Sequence, residues 1–399
     1  MKEAQSPKNK KKVIRTAALS GSLYVLLEDQ LRFLNQYYDI LAIGSDSDNY
    51  FIERLKQREG VRSKEINIER KISIVKDLVS LYRLYILFRK EKPFMVHSIT
   101  PKAGLLTMIA GYFARVPARV HTFTGLIFPT QTGMMKTILI FFDKLICRFA
   151  TNLYPEGNGV KNDLLAYKIT KKPLKVIANG NVNGIDLVKF NKTLFTTTEN
   201  QLLRKKIGVS EKDVVLLYIG RLVNDKGVNE LAQAFTKISA SHNHVKLVMV
   251  GSDKGETDLL PEDTWNIINT NDAIHYVGHQ NDVRPYLAMS DIFVFPSYRE
   301  GFPNVVLEAG AMGLPAIVTD INGSNEIIEN NINGIIIPSK DTQALLNAMQ
   351  LCIKNPEFLI KLSKCARDKI TSRFDRNFVW TEILDEYRLI ERNLSKNNI

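Results

Sequence analysis

The chain has 399 residues, of which 45% are hydrophobic and 24% charged, and its formal net charge is +12 with a pI of about 9.4. That length exceeds one ordinary domain, so two are expected, each with a sizeable core. The three cysteines, Cys147, Cys352 and Cys365, lack metal-ligand spacing, which argues against a disulfide framework or zinc site and for a reducing compartment.

The first residues, 1–11, are polar and lysine-rich without the apolar core of a signal peptide, and are expected to be disordered. From there short apolar strands alternate with longer helical patterns, as in parallel α/β sheets. Strands are expected over 13–19, 39–43, 94–98, 119–122 and 175–178, with helices over 26–36, 74–90 and 105–115. The stretch 134–150 is the nearest to a membrane span, but Lys136, Asp143, Lys144 and Arg148 interrupt it. It reads as a packed helix, with an in-plane membrane contact as the second option.

A polar, threonine-rich segment over 191–208 is expected to be the linker. Beyond it strands are expected over 214–219, 245–250, 274–277, 292–295 and 316–319, and helices over 228–238, 283–289, 304–312, 342–353 and 357–371. Nearly all these strands are apolar on both faces, as when helices cover each side. A last helix, 377–393, is expected to return to the first domain. The expected division is an N-terminal domain 1–190, a C-terminal domain 191–376 and a returning segment 377–399. Two doubly wound domains would face each other across a cleft at the carboxyl ends of their strands, where such sheets bind ligands.

The most informative stretch is Glu300-Gly-Phe-Pro-Asn-Val-Val-Leu-Glu308. It follows an apolar strand and opens a helix, so a carboxylate-lined loop meets free amide groups and a positive dipole end. That suits a ligand with an anionic part and a polyhydroxyl part. The strand over 214–219 ends in Gly220-Arg221 and reaches Lys226-Gly227 before a helix. Two cations delivered to a strand end suit a diphosphate, although either alone would read as surface charge. Gly21 follows the first strand, where a glycine permits close backbone approach. His121 ends a strand and reads equally as a site residue or a packed structural one. A Gly-x-Gly-x-x-Gly fingerprint and a Walker loop are both missing, which argues against nicotinamide and P-loop chemistry.

Together Glu300-x7-Glu308, Gly220-Arg221 with Lys226-Gly227, Gly313-Leu-Pro315 before Glu326-Ile-Ile, and Asn333-Gly334 resemble the retaining glycosyltransferases of family 4, of the two-domain GT-B type. The likeness covers the second half strongly. It extends more loosely over the first through Gly21, His121 and Asn179-Gly180…Gly184-Ile-Asp186. His121-Thr-Phe-Thr-Gly-Leu and Pro155-Glu156-Gly157 are similar to bacterial transferases that build capsule, O-antigen or other lipid-linked glycans.

The resemblance implies transfer of a hexose or N-acetylhexosamine from a nucleotide-diphosphate sugar, UDP-linked, to an acceptor hydroxyl with retention. It implies that Arg221 and Lys226 bind the donor diphosphate, that Glu308 holds the ribose diol and that Glu300 holds donor hydroxyls. Backbone amides around Phe302, Asn304 and Val305 would reach the sugar and distal phosphate. Gly21 would leave room for the phosphate, and His121 would contact the transferred sugar. Val277 and Gly278 would lie beside the base. No metal and no cofactor are implied. Asp46-Ser47-Asp48 looks like a metal-binding Asp-x-Asp pair, but its polar loop setting favours a turn or helix cap. The expected partners are the nucleotide sugar, a lipid-linked acceptor and an anionic membrane surface touched by Lys161, Lys168, Lys171, Lys172 and Lys175. Nucleic acid is not expected, since no recognisable module accompanies the charge. The expected place is the cytoplasm, peripheral on the inner face of the membrane. The alternatives are a nucleotide-sugar epimerase of the same architecture or a non-catalytic glycan-assembly partner.

Overall fold

A computed structural model describes residues 10–69, 73–254 and 258–396. The chain divides into two compact units, Met1–Gly184 with Asn377–Ile399, and Ile185–Arg376. Most of the loose tip expected over 1–11 lies outside the described residues. Lys11, at its end, pairs with Glu391 at 2.8 Å.

The first unit runs β1 (Lys12–Leu19), α1 (Ser20–Leu26), α2 (Gln30–Asn35), β2 (Asp39–Ser45), α3 (Tyr50–Glu59), β3 (Arg62–Glu65), α4 (Ile74–Glu91), β4 (Met95–Ser98), α5 (Pro101–Phe113), β5 (Ala118–Phe123), α6 (Gly133–Phe149), β6 (Asn152–Pro155) and α7 (Asn158–Ala166). The sheet order is β3-β2-β1-β4-β5-β6, and every pairing is parallel. The order therefore reverses between β1 and β4. Val13 and Ile14 of β1 are fully buried on opposite faces, in two separate apolar clusters.

Two expectations change here, and one strand lies where none is expected. The helix expected over 26–36 is two short helices, because Asp29 adopts a left-handed φ of 62° between them. The buried Glu59 carboxylate holds that break by accepting from the amides of Asp29 and Arg32 at 3.0 and 3.1 Å. The strand expected over 175–178 is only a bridged loop, since Ala178 turns with φ 52°. The edge strand β3 carries Arg-Ser-Lys-Glu and no apolar alternation, so its sequence hides it.

The second unit runs α8 (Thr197–Lys206), β7 (Val214–Ile219), α9 (Val228–Ser239), β8 (Val245–Val250), α10 (Glu262–Thr270), β9 (Ile274–Tyr276), α11 (Arg284–Met289), β10 (Ile292–Phe295), α12 (Asn304–Ala311), β11 (Ala316–Thr319), α13 (Ser324–Ile327), β12 (Gly334–Ile337), α14 (Thr342–Lys354) and α15 (Pro356–Phe374). Its sheet order is β12-β11-β10-β7-β8-β9, also parallel, reversing between β7 and β10. The first crossing falls at Gly184, ahead of the polar 191–208 segment, because Ile185 and Phe190 are buried in the second unit's core. That segment holds α8, started by a reciprocal capping box between Thr196 and Glu199.

The last helix, α16 (Arg376–Lys396), joins the first unit from Asn377 onward. Val379, Ile383, Leu384, Tyr387 and Ile390 complete one of that unit's two cores. The Tyr387 hydroxyl accepts from the buried Arg15 guanidinium at 2.7 Å and lies 2.6 Å from His97 Nδ1, whose Nε2 lies 2.8 Å from the Thr122 hydroxyl. Among the described residues no helix is long and apolar enough to cross a membrane.

Candidate active site

The site in the second unit forms at the β7/β10 reversal, the place where open parallel sheets bind ligands. After β7 the chain makes a tight turn, in which the buried Tyr218 hydroxyl donates to the Arg221 carbonyl at 2.7 Å. Burial first, and the nearby Glu300 charge second, push that phenol well above its ordinary value, so it stays a neutral donor. The loop then carries Lys226 to Gly227, whose φ is +67° and whose added Cβ would sit 2.0 Å from the Pro296 carbonyl oxygen. Only glycine fits, and the β7 and β10 loops are thereby held backbone to backbone. Tyr298 reinforces this, its amide donating to the Asp225 carbonyl at 2.8 Å.

This packing brings together residues that lie far apart in sequence. Lys226 Nζ donates to Glu300 Oε1 at 2.5 Å, and the Ser297 hydroxyl donates to the same oxygen at 2.9 Å. The lysine and glutamate side chains are only 11% and 17% exposed. Arg221, by contrast, keeps 45% of its side chain exposed, with Asp225 Oδ1 3.9 Å away. Arg299 donates to the other Asp225 oxygen at 2.9 Å. Asp225, Ser297 and Arg299 were not singled out from the sequence. Their signal was their place in the same two loops.

Beyond Glu300, α12 begins at Asn304, so its positive N-terminal end follows directly on the loop, with the Val306 amide donating to the Pro303 carbonyl at 3.1 Å. The Phe302 ring turns into the core, 5.5 Å from the Phe374 ring, so only its backbone is left for a ligand. Val305 is half-buried and packs on the core, while Glu308 is half-buried one turn into the helix. Val277 and Gly278 follow β9. The Gly278 carbonyl accepts from the Gly251 amide at 3.0 Å, and a Cβ on Gly251 would lie 1.8 Å from the Gly220 carbonyl oxygen. The segments after β7, β8 and β9 therefore meet at backbone contact.

The two remaining candidates lie in the first unit. His121 is 1% exposed, its Nδ1 is 2.8 Å from the Ser98 hydroxyl, and its ring packs edge-on against Phe123 at 4.5 Å. Burial pulls its pKa down to about 3, so the imidazole is neutral. A Cβ on Gly104 would fall 2.5 Å from that ring. Gly21 lies in the first turn of α1, and a Cβ there would meet the Phe51 ring at 3.1 Å. Asp46 is a cap, its Oδ2 accepting from the Ile52 amide at 2.7 Å.

Two cations, two carboxylates and a helix start at a sheet reversal have the make-up of a site for an anionic, hydroxyl-rich ligand. Known proteins agree in kind. Residues 199–369 match the family described as glycosyl transferases group 1, and residues 17–156 match glycosyl transferase 4-like proteins. A capsular polysaccharide biosynthesis glycosyltransferase, CapM of Staphylococcus aureus, is 29% identical over 94% of this chain and 96% of that one. The Escherichia coli UDP-Gal:alpha-D-GlcNAc-diphosphoundecaprenol alpha-1,3-galactosyltransferase is 32% identical over 90% of each. The crystal structure of Anabaena Alr3699/HepE in complex with UDP superposes with a TM-score of 0.79 at 19% identity, covering 95% of this chain and all (100%) of that one. The chain belongs to the family-4-like, group 1 glycosyltransferases, and its two doubly wound units are of the GT-B type.

Proposed function

We propose that the protein moves a hexosyl or N-acetylhexosaminyl group from a UDP-sugar to a hydroxyl of a lipid-linked saccharide, with retention and without a metal. The observation that carries this is the Lys226–Glu300 pair beside Arg221 at the start of α12. The S. aureus relative is named for capsular polysaccharide, and the E. coli relative for a UDP-linked donor and a diphosphoundecaprenol-linked acceptor, which supports both substrate classes.

In this scheme Arg221 and Lys226 hold the diphosphate and stabilise the charge that grows on it as the anomeric bond breaks. The α12 amides at Asn304 and Val305 add a third positive element. Glu308 receives the ribose diol, and Val277 and Gly278 border the base. Glu300 Oε1 is already committed to Lys226 and Ser297. A carboxylate so held favours positioning of sugar hydroxyls over nucleophilic attack. The acceptor proton then passes to the departing phosphate oxygen on the face that the acceptor attacks.

The lipid acceptor places the enzyme at a membrane surface. Ile74, Val75, Leu78 and Tyr82 of α4, Phe113 of α5, and Met134 and Phe141 of α6 are exposed apolar side chains, interspersed with Arg83, Arg89, Lys90 and Lys144. This mixed face supports docking better than the expected lysine stretch does, because Lys172 is tied to the carbonyls of Arg148 and Ala150 and Lys175 to Glu386. The deciding experiment is a nucleotide-sugar screen that follows UDP release, with and without lipid-linked acceptors, in chelator. Release that needs acceptor and persists in chelator supports the scheme. Interconversion of the sugar without acceptor, or a strict requirement for divalent metal, defeats it.

A further inference from the structure

The first unit holds a cavity of about 400 Å³ that none of the residues discussed above explains. It opens at the carboxyl ends of β1, β4 and β5, lined there by Leu19, Thr100 and Leu126, and so sits at this sheet's own order reversal. That is where an open parallel sheet takes a ligand, and the size falls in the range of small-molecule sites. Its walls are mainly apolar, with aliphatic Leu105 of α5 and the Phe142 ring of α6 among them.

Five polar side chains, Ser22, Asp77, Thr100, Lys102 and Asp143, interrupt the apolar lining. Asp143 of α6 is 7% exposed and faces the cavity, and among the described residues it makes no hydrogen bond or ion pair. The other charges at the cavity, Asp77 and Lys102, pair with each other at 2.7 Å. A carboxyl buried without a partner costs several kcal/mol, so a fold keeps one where a ligand completes it. Burial raises this carboxyl to about 7, so both protonation states are within reach at neutral pH.

We propose that this cavity seats the acetamido group of an N-acetylated sugar in the acceptor, with Asp143 hydrogen-bonded to the amide and the methyl packed on the aliphatic wall. An acetamido group matches both halves of the lining. Its methyl wants apolar surface. Its N–H satisfies an ionised carboxylate, and its carbonyl satisfies a protonated one. A bare prenyl chain would leave Asp143 unsatisfied, and a hydroxyl would leave the aliphatic wall empty. The assignment rests on the proposed lipid-linked saccharide acceptor, and it makes Asp143 a specificity-determining residue for that substrate.

The test is calorimetric binding, without turnover, of two probes: a short prenyl diphosphate bearing N-acetylglucosamine and the same compound bearing glucose. The intact chain should bind the acetamido probe about ten-fold more tightly. Asp143→Leu should bring the two probes within about two-fold, and Asp143→Asn should retain part of the preference. Leu105→Trp, which fills the cavity, should abolish binding of both probes while UDP still binds, which shows that the chain is folded. Equal binding of the two probes by the wild type, or full preference kept by Asp143→Leu with an unchanged melting temperature, overturns the assignment. If the preference is present but no nucleotide sugar supports transfer, the proposed reaction falls and the cavity assignment stands.

Discussion

Lys226 Nζ and Glu300 Oε1 lie 2.5 Å apart, joining two residues whose resemblance-based roles belong to different parts of the donor. The cation proposed for the diphosphate and the carboxylate proposed for the sugar are thus one unit, and removing either releases the other. Lys226→Ala and Glu300→Gln should each lower kcat/KM by ~10²–10³-fold. The double variant should fall little further, a non-additivity that a double-mutant cycle in steady-state kinetics reads directly. Simple additivity would mean that the two residues act independently.

Arg221 is the more exposed cation, and its side chain meets solvent as well as Asp225. Arg221→Ala should therefore weaken UDP binding by ~10-fold or more in calorimetry, with the loss shrinking at high salt as screening takes over. Unchanged UDP affinity would remove the arginine from the diphosphate site.

Tyr387→Phe tests the anchoring of α16. It deletes the hydroxyl that accepts from Arg15 and bonds His97, leaving a buried guanidinium short of a partner. Chemical denaturation should show a loss of ~1–3 kcal/mol with the fold retained. A neutral result would mean that the apolar contacts of α16 suffice.

The pH dependence of stability has two opposed parts. Burial lifts the Asp143 carboxyl from its ordinary 3.8 to about 7. Between those values the folded chain holds a proton that the unfolded chain has lost, so this contribution falls as pH rises to about 7 and is level above. Asp143→Asn should therefore be more stable than wild type at pH 8, by on the order of 2–4 kcal/mol, with the gap closing toward pH 4. His121 is pulled from 6.5 to about 3, so the unfolded chain binds the extra proton and stability is lost as pH drops below 6.5. His97, also buried and beside the Arg15 charge, acts in the same direction. Thermal melts of wild type and Asp143→Asn from pH 4 to 8 separate the two contributions.

The mixed apolar and basic face of α4, α5 and α6 should bind vesicles. Leu78→Ser with Tyr82→Ser should lower partitioning onto anionic vesicles in sedimentation, and added salt should weaken the wild type. Undiminished partitioning would place the membrane contact elsewhere.

The two-sheet architecture was legible because central strands such as the one ending at Ile219 are apolar on both faces and alternate with helical patterns. What escaped were edges and turns. The charged Arg62–Glu65 strand has no pattern of its own and exists only because β2 offers it a ladder. The turn at Ala178 puts an ordinary residue at positive φ, which no propensity announces. In the site, Arg221, Lys226 and Glu300 could be named because motif spacing carries them. The Lys226–Glu300 contact could not, since it depends on Gly227 meeting Pro296 across two loops. Asp143 was visible only as an interruption in an apolar run, because burial without a partner is a property of three dimensions.

The helix that closes the first unit comes after the whole of the second unit along the chain. During synthesis, residues up to Gly184 emerge with the face later covered by Val379, Ile383 and Tyr387 still bare. The second unit has all its own strands in hand before α16 is made, whereas the first waits for the segment from Asn377 onward. A nascent chain stalled before Asn377 should thus be the species that chaperones hold and proteases find.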